Sequence, residues 1–189
     1  ADKILRLTML LHDVAKPVCI TTDEEGQDHF KKHPAVGADM TKQILRRLKF
    51  DNKTIDCCCR LVKEHDDRPQ ITPKNVRRAM SRIGAGLFPM LFEVKRADML
   101  GQSLYKRKEK MAYIDEFERV YNEILSDDQC VSKKDMKING RDLIDLGMEP
   151  GQKLGEILDK LYEMVLDDPE LNDHEKLIEH ANKIISTLI

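Results

Sequence analysis

Apolar residues recur three and four positions apart along almost the whole chain, and no convincing run alternates residue by residue around a hairpin turn. The spacing predicts helices over 2–15, 36–49, 52–65, 73–83, 86–106, 109–125, 141–146, 151–167 and 173–188, hence an all-α fold. Punctuation supports these bounds. Asp2 leads straight into the stripe Ile4, Leu5, Leu7, Met9, Leu10, Leu11. Pro34 and Pro73 suit a first helical turn, where a missing N–H costs nothing, and Asn52 and Asp173 suit N-caps. Pro17 disfavours helical geometry at Lys16 and is expected to end the first helix just after His12 and Asp13. Gly147 after Leu146 reads as a helix stop. The polar stretch from Ser126 to Asn139 reads as a connection, which places a helical unit over 1–129 and a smaller helical tail over 130–189.

With 189 residues, 41 % of them hydrophobic, the chain is long enough to close a core. It has neither a run approaching the roughly 18 apolar residues of a membrane span nor the order of a secretory leader, so a cytoplasmic protein is expected. The 32 basic and 34 acidic residues nearly cancel, so nucleic-acid contact has to come from local patches. The five cysteines include the consecutive Cys57, Cys58 and Cys59, which a helix fans out too widely to converge on one metal, and no CxxC pair occurs. A reducing compartment follows. The chain opens on Ala1, which reads as an excised piece or a processed product.

The sharpest local chemistry is Leu10-Leu11-His12-Asp13-Val14-Ala15-Lys16-Pro17, a hydrophobic helix that ends by presenting an imidazole, a carboxylate and an amine. His33, His65 and Asp98 come from three further elements, and Asp98 lies in the mostly apolar Arg96-Ala97-Asp98-Met99-Leu100. Such a carboxylate needs a partner: a cation, a helix cap, or pairing with Lys95 or Arg96. Histidine and carboxylate donors without cysteine suit Zn, Mn, Fe, Ni or Mg in a catalytic rather than a structural role. His29 reads as a loop residue, and His174 and His180 carry no functional signal.

Taken jointly, these residues resemble the HD superfamily, whose pattern is a histidine, an HD pair and a distant aspartate. The resemblance implies His12 and Asp13 as the HD pair, Asp98 as the closing aspartate, and His33 and His65 as ligands of a second divalent metal. It further implies a metal-dependent phosphohydrolase in which Asp13 is catalytic and Lys16 stabilises charge on the phosphate. The superfamily's first histidine has no counterpart before His12. Either that ligand lies upstream of Ala1, the reading preferred here, or His33 and His65 compensate, or the site holds no metal.

A second segment narrows the resemblance. Lys137-Ile138-Asn139-Gly140-Arg141-Asp142-Leu143-Ile144-Asp145-Leu146-Gly147 and then Gly151-Gln152-Lys153-Leu154-Gly155 resemble the carboxy-terminal region of bacterial CCA-adding enzymes and related poly(A) polymerases. Asp23-Glu24-Glu25-Gly26 and Leu45-Arg46-Arg47-Leu48-Lys49-Phe50 fit the same family. The family implies tRNA as partner. Gly151 and Gly155 at a helix start suit either a phosphate, met by free N–H groups and the helix dipole, or close packing. Lys74, Arg77, Arg78 and Arg82 fall on one helix face and are the favoured basic cluster for a tRNA backbone. The Gly-Ser turn and Asp-x-Asp pair of the family's polymerising head are absent, so this polypeptide alone is not expected to add CCA. Three functions follow as expectations: the tRNA-holding part of a nucleotidyltransferase with a phosphohydrolase-type site, a self-sufficient phosphohydrolase of nucleotides or cyclic phosphates, and a purely architectural body.

Overall fold

The computed structural model describes Asp2–Thr187; Ala1, Leu188 and Ile189, which end the expected domains and the last expected helix, lie outside the described residues. The chain is helical almost throughout: α1 (Lys3–Leu11), α2 (Lys16–Cys19), α3 (His33–Arg47), α4 (Asn52–Glu64), α5 (Pro73–Ile83), α6 (Phe88–Gly101), α7 (Arg107–Ser126), α8 (Gly140–Asp145), α9 (Gln152–Asp167) and α10 (His174–Ser186). The all-α expectation holds, with one small exception. Strands β1 (Thr21–Thr22) and β2 (Asp28–His29) pair antiparallel, Thr21 opposite His29 and Thr22 opposite Asp28. Asp23 holds the intervening turn by accepting hydrogen bonds from the Glu25 and Gln27 amides at 3.0 and 2.9 Å, and Gly26 supplies a φ of +78°.

Several caps follow from local chemistry. Asp2 accepts from the amides of Ile4 and Leu5, and Asp51, rather than Asn52, caps α4 by accepting from Thr54. Thr72 caps α5 ahead of Pro73, and Asp173 caps α10. Pro17 acts differently from expectation. The first helix ends at Leu11, before any influence of the proline, and Pro17 sits in the first turn of α2, where its missing N–H is harmless.

The described residues divide into two compact units: those up to Gln70 with Ala85–Glu118, and Ile71–Gly84 with those from Arg119 onward. The boundary expected near Cys130 falls inside the second unit, which also takes in α5.

In the first unit α1, α3, α4 and α6 pack together. Leu11, Leu45, Ile55 and Cys58 form one cluster, and Phe88, Phe92 and Phe117 meet edge to face with centroids 5.4–5.5 Å apart. Gly37 has a positional role. A Cβ there would lie 3.4 Å from Val62 Cγ1 and 3.7 Å from both Ala15 Cβ and the His12 carbonyl oxygen. These are close to ordinary van der Waals distances, so α3 lies against α4 and the turn that carries His12 and Asp13 with room for little more than a methyl group at Gly37.

The second unit closes over Ile138, Leu143, Ile157, Leu161, Tyr162, Val165, Leu166, Leu177 and Ala181. This explains the tail segment residue by residue. Ile138 and Leu143 are core, Asn139 and Asp142 form a reciprocal cap on α8, and Gly147 ends it at φ +92°. The Tyr162 hydroxyl is 2.9 Å from the buried Val131 carbonyl, to which it donates, and 2.7 Å from Ser81 Oγ. Tyr162→Phe is expected to destabilise this unit by about 1–2 kcal/mol, because the Val131 carbonyl loses its donor without gaining water; chemical denaturation of the two proteins measures the difference.

Candidate metal centre

Five residues expected from sequence converge in the first unit. His12 follows the last residue of α1, Asp13 begins the turn after it, His33 opens α3, His65 caps the end of α4, and Asp98 lies one turn from the end of α6. Each histidine is anchored the same way. Nδ1 of His12, His33 and His65 lies 2.8, 2.8 and 2.6 Å from the carbonyl oxygens of Met9, Phe30 and Val62, each three residues earlier. A carbonyl only accepts, so Nδ1 carries hydrogen and Nε2 of the neutral ring is left as a lone pair facing the cluster.

Asp13 lies at the centre. Its Oδ1 is 3.3 Å from His33 Nε2 and 3.7 Å from His65 Nε2, and its Oδ2 is 3.3 Å from His12 Nε2. His12 Nε2 is 3.4 Å from Asp98 Oδ1. Two groups result, Asp13–His33–His65 and His12–Asp13–Asp98, each with donor atoms within 4.8 Å of one another.

The donor set fits a cation. Asp13 Oδ1 is a buried carboxylate oxygen without a hydrogen-bond partner, an arrangement that costs free energy unless a positive charge meets it. His33 Nε2 and His65 Nε2 face each other at 3.3 Å, and in the neutral, Nδ1-protonated rings no hydrogen lies between them. In its protonated form His12 donates from Nε2 to Asp98, and that bond, with Asp13 adding, holds it above its ordinary imidazole value against the opposing effect of burial. His12 in turn holds the Asp98 carboxyl down to about 2, and Gln102 donates to it at 2.8 Å. Burial keeps His65 below the ordinary value.

Lys16 donates to Asp13 Oδ2 at 2.6 Å, with its ammonium 5.7 Å from the Phe30 ring centroid. It lines a polar hollow of about 370 Å³ together with His29, Lys31, His33 and Gln102. A second cavity, about 300 Å³, shares His65 and Asp98 with the cluster and has Met99, Tyr113 and Ile114 in its wall.

Neither Lys95 nor Arg96 pairs with Asp98 in the way considered for it. Arg96 binds Asp115 and Glu118 instead. Lys95 is buried and donates to the main-chain carbonyls of Glu64, His65 and Asp67; burial brings its ammonium down to about 8. Sequence reasoning offered Lys95 only as an ion-pair partner. The one available signal was its place on α6, three residues before Asp98 in an otherwise apolar stretch.

The basic cluster of α5 is placed differently from a phosphate-tracking face. Arg77 is only 4 % exposed and donates to the Leu166 and Asp167 carbonyls at 2.8 and 3.0 Å and to Gln129 Oε1 at 2.8 Å. Lys74 and Arg78 both pair with Asp167, and Arg78 also with Glu163. Arg82 is exposed in the last turn. Gly151 and Gly155 lie at the start of α9, and a Cβ on either would meet nothing within 4 Å, so close packing does not require them.

The cysteines of α4 fan out as expected, Cys58 buried and its neighbours half-buried. No helix among the described residues is long and apolar enough to cross a membrane.

Comparison with known proteins gives a family profile match, tRNA nucleotidyltransferase domain 2, over residues 35–181. That range contains His65 and Asp98 but not His12, Asp13 or His33. The chain is 32 % identical over 167 residues to an A-adding tRNA nucleotidyltransferase of Deinococcus radiodurans, covering 86 % of this chain and 38 % of the relative. It is 30 % identical over 159 residues to a CC-adding tRNA nucleotidyltransferase of Thermus thermophilus, covering 84 % and 35 %. A CCA-adding enzyme of Ligilactobacillus salivarius is 47 % identical over 55 residues, 29 % of this chain and 14 % of the relative. The chain thus matches little more than a third of the length of the two relatives it follows furthest. No solved structure matches.

Proposed function

Because the chain belongs to the tRNA nucleotidyltransferase domain 2 family, we propose that it is the helical, tRNA-holding part of a tRNA nucleotidyltransferase and carries an HD-type divalent-metal site for phosphoester hydrolysis. The profile match over 35–181 carries the tRNA half of this reading. The Asp13 carboxylate, set amid three inward-facing imidazole nitrogens and with Oδ1 lacking a hydrogen-bond partner, supports the metal half.

In this reading His12, Asp13 and Asp98 hold one ion and Asp13, His33 and His65 hold a second. A divalent ion there supplies water activation and positive charge for a phosphoryl oxygen. The chain's own residues do the rest. The three backbone-anchored imidazoles fix the donor atoms, Asp13 serves both groups, and Lys16 offers an ammonium at the mouth of the polar hollow where a phosphate enters. The start of α9 after Gly151 is the surface we assign to a tRNA phosphate, with the N–H groups of its first turn and the helix dipole as its attraction; the Gly155 N–H is already donated to the Gly151 carbonyl, so Gly155 leaves that surface open without supplying a donor to it. Addition of nucleotides is assigned to the portion of the parent enzyme that this chain does not match.

Purified chain assayed with a 2′,3′-cyclic nucleotide and added Mn, Ni, Co or Mg, alongside tRNA binding by fluorescence anisotropy, tests both halves. Metal-dependent hydrolysis with tRNA binding supports the full reading. Binding without hydrolysis under any metal removes the phosphohydrolase half, and hydrolysis without tRNA binding favours a self-sufficient phosphohydrolase.

Ion binding has a defined pH dependence. A proton on His12 Nε2 excludes an ion from that atom, and the His12 value is raised above 6.5. The affinity of the His12–Asp13–Asp98 group is therefore expected to fall as pH drops through that raised value. His65, which burial holds below the ordinary imidazole value, takes up its proton at lower pH than His12 and competes less. Calorimetric titration with Mn between about pH 8 and pH 5.5 measures the loss.

A further inference from the structure

We infer that Lys95 is a positioning residue for the cluster, setting the orientation of His65 by clamping the end of the helix that carries it; this rests on reading the cluster as a divalent-ion site. An ammonium has three hydrogens and no acceptor. Lys95 Nζ lies 2.6 Å from the Asp67 carbonyl oxygen, 2.9 Å from that of His65 and 3.3 Å from that of Glu64, so each hydrogen has a main-chain partner. With Nζ fully engaged, Lys95 is not a substrate contact.

The carbonyls it binds belong to the last turn of α4 and the residues just after it. Carbonyls at a helix end have no partner within the helix, and a buried cation is the strongest group that can gather them. His65 is thereby held at two points, its own carbonyl by Lys95 and its Nδ1 by the Val62 carbonyl at 2.6 Å. Two fixed points on one residue leave Nε2 a single direction, toward Asp13 and His33. Because Lys95 and Asp98 lie three residues apart on α6, one helix supplies both a candidate ligand and the clamp on another. His12 and His33 have no such cation on their carbonyls among the described contacts.

The test compares the full chain with Lys95→Met and His65→Ala in calorimetric titration with Mn, following the two ion sites separately, and records the His65 ring by 15N NMR without metal. Lys95→Met is expected to weaken the Asp13–His33–His65 ion roughly 10- to 100-fold, as loss of a residue that orients a ligand typically does. The His12–Asp13–Asp98 ion should change little. The His65 ring should pass from one Nδ1-protonated form to a mixture. Equal weakening of both sites would indicate a general structural role and overturn the inference, as would unchanged binding and an unchanged ring. If the wild type binds no Mn, the metal reading fails, while the ring spectrum still decides whether Lys95 orients His65. Should Lys95→Met not fold, the wild-type protein at mildly acid pH serves: the inference requires a slowly exchanging Lys95 ammonium with couplings to the three carbonyls, and its absence overturns it.

Discussion

Asp13→Ala is expected to remove divalent-ion binding altogether, whereas His33→Ala or Asp98→Asn should each remove one ion and spare the other. Asp13 is the residue that both groups share, with Oδ1 toward His33 and His65 and Oδ2 toward His12. Removing an orienting neighbour of a metal ligand already costs on the order of 10- to 100-fold in affinity, so removing a shared ligand should cost at least about 100-fold at both positions. Calorimetry with Mn reads the two losses directly. The variant should fold, because Asp13 is one-third exposed, its Oδ1 lacks a hydrogen-bond partner, and its Oδ2 accepts from Lys16, which is itself more than a third exposed. Retention of both ions in Asp13→Ala would show that the two groups are not the binding sites.

The same residues show how far the sequence could be read. Helices were legible because of their apolar stripes and because several carry a chemical signal: Asp2 and Asp173 at starts, Pro34 and Pro73 in first turns, Gly147 at an end; the caps at Asp51, Thr72 and Asn139 emerge only from the folded chain. The hairpin was not, because two-residue strands are too short to alternate; the available sign was Thr21-Thr22 followed by an Asp…Gly turn. A stripe reveals which face of a helix is buried but not which element buries it, so nothing in residues 73–83 announced that α5 belongs with the tail. The cluster was legible through residue types, since His12, Asp13 and His65 stand at helix ends and His33 at a helix start, where a side chain is free to turn toward one point. Lys95 was not legible in its actual role. Its partners are main-chain carbonyls, which every residue carries, so only the folded chain shows that three of them point at one ammonium.

Arg77 gives the converse lesson and the second large effect. Counting charges at helical spacing grouped it with Lys74, Arg78 and Arg82, but spacing does not distinguish a cation facing solvent from one facing the end of another helix. The end of α9 presents the carbonyls of Leu166 and Asp167, and the planar guanidinium binds both at once while a further nitrogen reaches Gln129. Arg77→Met should leave these two carbonyls and the Gln129 amide without their donor at a site that is 4 % exposed, and is expected to destabilise the second unit by about 3–5 kcal/mol. Arg77→Lys should recover less than half of that, because an ammonium on a shorter reach cannot reproduce the fork. Thermal unfolding, with hydrogen exchange locating the loss to α5 and α9, provides the measurement. If Arg77→Met instead kept the stability of the wild type and selectively lost tRNA binding, Arg77 would belong to a phosphate-binding face after all, and the assignment of its guanidinium to the end of α9 would fail.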